Sequence, residues 1–302
     1  MSKVFITKDI SPLWLQKAYE ALQHPTTWKV AVKISTGEMW WHNFLSPNLI
    51  KNLVQSVNWT IVECNTAYWW KRWTSEDHRE TIKAHWFLDI APVDIMDEEW
   101  EIQIPVQDTK RIKYNIVWSH IKNYDFMINL SHFKWHVMWW FWWALKNQSI
   151  WVASANGKAY IHTAWARNQV KWIRRHVPKD RDKAPENNNP FTESMAAAAQ
   201  SVADYFGENI LYINVMNNIS IDCDCEAHPA KPEMNDIWIL SSLDPVALDQ
   251  ACVDLIYNHH NEEWDNAEHL VERINMRNWT HILEYAEKIW LWSCDYELIN
   301  ID

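Results

Sequence analysis

Three segments of this chain gather side chains that could do chemistry. The first, KISTGEMWWHN, carries Lys33, Glu38, His42 and Asn43 directly after an apolar run. A base and an acid on a loop that leaves a strand are the raw material of proton transfer, and His42 has the side chain that titrates nearest neutral pH. The second, SHFKWHVMWWFWWALKNQSIW, carries His132, Lys134, His136, Lys146 and Asn147, with Lys158 and His162 close behind. The third, IDCDCEAHPA, places Cys223, Cys225 and His228 within six residues. Two thiolates and an imidazole suit zinc, iron or an iron–sulfur centre. Strong zinc signatures use two separated cysteine pairs, however, and a C-x-C in an extended chain sends its thiols to opposite faces. A metal site and a structural role therefore stand side by side for this segment.

The second segment makes sense only against the composition. The chain has 24 Trp and 3 Gly, where about twenty glycines are ordinary at this length. The tryptophans come in pairs, Trp40–Trp41, Trp69–Trp70, Trp139–Trp140 and Trp142–Trp143. They also fall where chains turn. Trp59 and Trp86 follow helix-like stretches, at the left-handed position that favours glycine, and Trp100 stands at a turn before EIQIPV. The pattern reads as a glycine-bearing sequence with Trp at most glycine positions. With glycine written back, the second segment becomes SHFKGHVMGGFGGALKNQSIG. Successive backbone N–H groups of such a loop converge on an anion, and Lys33, Lys146, Asn147 and Lys158 are the side chains expected to bind it. The spacing is not that of a Walker A loop. A genuinely aromatic-rich sugar binder is the alternative reading of the tryptophans. Indoles standing at glycine positions strain the backbone and fill the loop, so the chain as written is expected to be inactive.

The net charge of −11 argues against a nucleic-acid partner. The N-terminus lacks a signal-peptide pattern, and VMWWFWWAL is too short to span a bilayer. A cytoplasmic protein with no membrane partner is the expectation. The 5 cysteines are sparse and odd in number, which fits free thiols or metal ligands better than a disulfide framework. Cys252 reads as core, Cys64 as core or pocket lining, and His259 and His260 as solvated.

These groups need a frame. KVAVKIS, TIVECN and FLDIAPVDI read as strands. SPNLIKNLVQSV, opened by Ser46 and Pro47, and SEDHRETIKAH, opened by Ser75, read as the helices between them. YDFMINLSHF and NILYINVM are further strands, FTESMAAAAQSVADYF is a helix, and DPVALDQACVDLIYNH is a helix opened by Asp244 and Pro245. EIQIPV and RIKYNIVWS read as a hairpin. The class is α/β, a mostly parallel sheet flanked by helices with a small β-hairpin element. One domain over 1–302 is expected. The polar stretch 165–190 also allows a division into lobes 1–164 and 191–302.

With glycines restored, these segments resemble the DUF362 family, whose longer members are often labelled uncharacterised iron–sulfur-centre proteins. The resemblance is carried by VKISTGE with HNFLSPN, TIVECNTAY, INLSHFK-x-H with ALKN, NGKAYIHTA, NVMNNISIDCDCEAHP and SSLDPVALDQACVDL. It runs from about residue 29 to the C-terminus, and family glycines fall at Trp135, Trp139, Trp140, Trp142 and Trp143. Some relatives carry a ferredoxin-like insert of C-x-x-C runs near the polar stretch. No such run is present here, which leaves Cys223 and Cys225 as the candidate ligands the resemblance implies; His228 joins them as an expected metal ligand on the spacing of the segment alone. The resemblance implies little about activity. Read from the residues, a metal- or cofactor-dependent redox-type protein is the expectation, with His42, His132, His136 and Lys134 as the catalytic set and a small anion as ligand. A non-catalytic scaffold that clamps a phosphorylated ligand or protein partner is the alternative.

Overall fold

A computed structural model describes the chain except residues 27, 41, 43, 57–58, 68–69, 135–143, 165–188, 221–229, 263, 277 and 291. The strands are β1 (Ser2–Thr7), β2 (Val30–Lys33), β3 (Trp59–Glu63), β4 (Val93–Ile95), β5 (Glu101–Pro105), β6 (Tyr114–Trp118), β7 (Phe126–His132), β8 (Ile210–Val215), β9 (Ile239–Ser242) and β10 (Tyr296–Asn300). The helices are α1 (Pro12–Glu20), α2 (Pro47–Ser56), α3 (Ser75–Ala84), α4 (Ala144–Ser149), α5 (Ala155–His162), α6 (Asn189–Phe206), α7 (Pro245–Tyr257), α8 (Glu268–Met276) and α9 (His281–Ile289).

Among the described residues the main sheet has eight strands in the order β10-β1-β9-β8-β7-β2-β3-β4, and β5 and β6 form a separate antiparallel pair. All pairings from β8 through β4 are parallel. This is the expected mostly parallel sheet with a small hairpin. Strands β2 and β7 are buried along their whole length, as strands covered on both faces must be. Strand β9 joins antiparallel to β8 and β1, so residues from both ends of the chain share one sheet.

Two cores cover the two faces. Leu49, Ile50 and Leu53 of α2 and Ile82 of α3 pack with Val32, Ile61 and Ile128 on one. Ala144, Tyr160, Met195 and Ala247, from α4, α5, α6 and α7, pack with Ala31, Val62 and Met127 on the other. From β2 the chain steps outward to β3 and β4, and from β7 it steps the opposite way to β8. The β2–β7 pair is therefore the topological switch point, where an open parallel sheet leaves a crevice beyond its carboxyl ends.

Local signals hold with three corrections. Ser46 Oγ accepts from the Asn48 amide at 3.3 Å, and Asp244 caps α7 through the Val246 and Ala247 amides at 2.9 and 3.1 Å. The cap of α3, however, is Thr74, whose Oγ1 accepts from the Asp77 amide at 3.2 Å; Ser75 Oγ instead accepts from Asn65 Nδ2 at 3.0 Å. FLDIAPVDI is a strand only at its end, because Phe87–Asp89 coil into a 3₁₀ turn that buries Phe87. Of the three tryptophans expected at left-handed or turn positions, Trp86 alone has positive φ, at 61°. Trp59 instead opens β3 opposite Val30, where an aromatic side chain suits a pleated surface. Trp100 is an exposed residue whose carbonyl accepts from the Ser119 amide at 3.0 Å.

Candidate functional site

Strands β2 and β3 end on opposite charges. Lys33 is the last residue of β2 and Glu63 the last of β3, and both are fully buried. Their side chains meet beyond the strand ends, Lys33 Nζ to Glu63 Oε2 at 3.1 Å. Arg72, on the loop between β3 and α3, reaches Glu63 Oε1 with Nη1 at 3.0 Å and Glu38 Oε1 with Nε at 3.0 Å. Thr36 donates to Glu63 Oε1 through its amide at 2.8 Å and its hydroxyl at 3.0 Å. A charge this deep persists only if it is paired and hydrogen-bonded, and Glu63 is both.

The opposite side of the crevice is amide-lined. Asn129 of β7 lies beside Lys33 in register. Asn147 of α4 donates through Nδ2 to the Lys33 carbonyl at 3.2 Å and to Asn129 Oδ1 at 2.6 Å. Asn129 Nδ2 in turn donates to the Ala144 carbonyl at 2.8 Å. These contacts fix the start of α4 against the switch point.

At the centre stands Trp151. Its buried indole has Arg72 and Lys158 each at 5.3 Å from a ring centroid and Lys33 at 5.8 Å. The Lys158 ammonium donates to Cys64 Sγ at 3.1 Å and to the carbonyls of Asn65 and Ala153 at 3.0 and 2.8 Å. Lys158 reaches this point because α5 packs tightly on β6. A Cβ at Gly157 would come within 2.0 Å of the Ile116 carbonyl oxygen.

Burial raises the Glu63 carboxyl, but Lys33 and Arg72 outweigh it and hold the group down to about 2. Burial drives His78 down to about 3, against the pull of Glu63. Burial also pushes the Cys64 thiol up, opposed by Lys158 and Lys33. Glu38 is raised by burial despite Arg72. Glu63, Cys64 and His78 are thus held away from neutral pH, and Glu38 alone of the four shifts toward it.

The remaining sequence-derived residues fall in three places. His42 is on an exposed loop and lines a groove of about 520 Å³ together with Asn48, Lys51 and His85. His85 forms the wall between that groove and the buried cluster. Its Nδ1 lies 2.7 Å from the Thr36 carbonyl, and its ring stacks on Phe44 at 4.0 Å. His132 and Lys134 are buried at the end of β7 and hold the loop after β8. The His132 Nε2 lies 2.9 Å from the Asn217 carbonyl, and Lys134 donates to the Asn218 carbonyl. Lys146 points the other way from α4, into a crevice of about 10 Å³ that it shares with Asp249 and Trp279, room for about one water. Burial pushes its amine well below the usual lysine range. His136, Cys223, Cys225 and His228 lie outside the described residues, and so does Asn43.

The structure therefore brings Lys33, Asn147 and Lys158 to one site and sets His42, Lys146 and the His132–Lys134 pair elsewhere. Glu63, Arg72, Thr36, His78 and Asn129 are members that sequence reasoning missed. An acid closing the apolar run of β3 was the visible signal for Glu63; Arg72, between tryptophans, gave none. Among the described residues no group of three or more His, Cys, Asp or Glu side chains could hold a metal ion, and no helix is long and apolar enough to cross a membrane.

Residues 30–254 match the family model described as a domain of unknown function, DUF362. The match covers most of the chain, and the chain belongs to that family. No curated protein matches it. Among solved structures it is similar to the lactate racemase apoprotein from Thermoanaerobacterium thermosaccharolyticum, at 12% identity and a TM-score of 0.47 over 85% of this chain. It is also similar to a structural-genomics protein from Thermotoga maritima, at 11% identity and a TM-score of 0.46 over 80% of this chain. The chain spans 57% of the length of each of these two proteins.

Proposed function

We propose that this DUF362 protein binds a small anion at the carboxyl edge of its sheet and belongs to a metal- or cofactor-dependent redox type. The observation that carries the anion reading is the convergence of Lys33, Arg72 and Lys158 on one buried point at the switch point of the sheet. The glycine-rich character of 135–143, once glycine stands at its tryptophans, supports the same reading. The metal part rests on donor chemistry alone. Cys223, Cys225 and His228 offer two thiolates and an imidazole, a set that suits zinc, iron or an iron–sulfur centre. Such a group would supply electron transfer or Lewis acidity, while Lys33, Arg72 and Lys158 would hold the anion.

The chain as it stands carries indoles in the loop and in the crevice, and we take it to be inactive for that reason. The test is a chain with glycine at Trp135, Trp139, Trp140, Trp142, Trp143 and Trp151, prepared anaerobically. Stoichiometric metal that disappears in the Cys223→Ser variant is expected; metal-free protein unchanged by that substitution would overturn the redox reading.

One observation favours a second reading, a non-catalytic binder of a phosphorylated ligand or partner. The buried His78, Glu63 and Cys64 are all held away from neutral pH, which suits a clamp better than a proton shuttle. A thermal-shift screen separates the two, since a pure binder responds to anions and not to chelators.

A further inference from the structure

The Cys64 thiol lies against the Lys158 ammonium, and nothing in the anion site calls on the sulfur. Cys64 is the first residue beyond β3, Lys158 is on α5, and both are buried. The thiol donates to the Trp151 carbonyl at 3.2 Å, which leaves a sulfur lone pair to accept from Lys158 Nζ at 3.1 Å. The carbonyls of Asn65 and Ala153 hold the same nitrogen at 3.0 and 2.8 Å. The tight seat of Gly157 against the Ile116 carbonyl fixes the helix that carries it. A nucleophile held against its target reacts as if highly concentrated.

The other described cysteines have different surroundings. Cys252 accepts from Asn214 Nδ2 at 3.4 Å, and Cys294 lies beyond α9. The sulfur of Cys64 therefore has a lysine nitrogen, and no second thiol, among its hydrogen-bond partners. Burial keeps out thiols of the size of glutathione, while hydrogen peroxide is little larger than water and enters through local opening. Lys158 and Lys33 favour the thiolate, the form that peroxide oxidises, against the burial that disfavours it.

We propose that Cys64 and Lys158 form an oxidative modification site, at which hydrogen peroxide joins the sulfur to the lysine nitrogen. Peroxide first gives one oxygen to the sulfur. The thiol becomes a sulfenic acid, the peroxide is reduced, and one water leaves. Lys158, having released one proton, then attacks the sulfur as a free amine. The S–N bond forms, the S–O bond breaks, and the hydroxyl departs as water with a second proton from the nitrogen. The resulting sulfenamide ties the end of β3 to α5 and takes the positive charge of Lys158 out of the cluster around Trp151. Loss of anion binding on oxidation follows from the anion reading above; the bond itself does not depend on that reading.

The test is peptide mapping by tandem mass spectrometry of the full-length chain under native conditions, its accessible thiols first capped with iodoacetamide, before and after hydrogen peroxide. The expected product is a pair of peptides linked through Cys64 and Lys158, lighter than the two together by two hydrogens and separated again by dithiothreitol. It should be absent from the Cys64→Ser and Lys158→Arg chains, and absent when the oxidation is done in concentrated urea. A Cys64 sulfinic acid with Lys158 unlinked would overturn the proposal, as would a Cys64 thiol that survives the oxidation or a sulfenamide closed onto a backbone amide. A linked pair that keeps the oxygen would overturn the S–N bond. A link formed equally in urea would show that the folded contact does not direct it, and this control decides even if neither variant folds.

Discussion

Glu63 and Arg72 form a fully buried ion pair, Oε1 to Nη1 at 3.0 Å, that ties the end of β3 to the loop before α3. Because Glu63 also holds Lys33 at 3.1 Å, removing its charge takes the paired carboxylate from Lys33 and one of two from Arg72. Glu63→Gln is predicted to destabilise the fold by about 3–5 kcal/mol, the range for breaking a buried pair. Chemical denaturation measures this, and a loss below about 1 kcal/mol, the scale of a surface pair, would show that the network is not buried as described.

Acid should weaken this fold before it reaches the carboxylate range. His78 titrates at about 3 and His162 at about 4 in the folded chain, against an ordinary 6.5. The unfolded chain therefore binds more protons across that window, so stability falls as pH drops from 6.5 toward those values. Glu63 adds loss of the same sign from 4.5 down to about 2. Asp249, raised by burial to about 7, works the other way and weakens the fold as pH rises from 3.8 through 7. Each histidine contributes about 2 kcal/mol between about pH 6.5 and about pH 5. His78→Gln is predicted to remove that share of the pH dependence, read as the difference in unfolding free energy at the two pH values. An unchanged difference would mean that His78 is solvated.

Trp86 is an exposed residue at φ 61° immediately after α3. Its side chain pays no packing return for the left-handed backbone. Trp86→Gly is predicted to stabilise the protein by about 1–2 kcal/mol, while Trp86→Ala, which keeps a Cβ, should not. Paired thermal melts decide, and equal melting temperatures for the two variants would contradict the strain.

Asp249 of α7 caps α4 from across the fold. Its carboxylate oxygens accept from the amides of Ala144 and Leu145, both at 2.9 Å. Asp249→Ala is predicted to cost about 2–3 kcal/mol, because it leaves buried donors unmade. Hydrogen exchange at those two amides should accelerate more than at the other amides of α4. Uniform acceleration would point to global loss instead.

The sheet was legible because period and punctuation survive substitution: VAVK, TIVEC and FMINLSH read as strands whatever stands in the turns. Strands β1 and β10 escaped because they pair with each other across nearly the whole chain, Ser2 opposite Tyr296, and nothing local announces that. Lys33, Asn147 and Lys158 were legible as polar groups beside glycine-like positions. Arg72 and His78 were not, because a buried ion pair is a property of two distant segments meeting. Asp249 was visible only as a motif residue, since the helix it caps lies over a hundred positions away. The separation of Lys146 from Asn147 follows from helical geometry, as adjacent residues on a helix face different ways.

The most direct test of the anion site is a crystal of the Trp151→Gly chain soaked in bromide. An anomalous peak is predicted in the space the indole leaves, contacted by Lys33, Arg72 and Lys158. No bromide there, with halide bound instead beside Lys134 and His132 or in the His42 groove, would contradict the anion site.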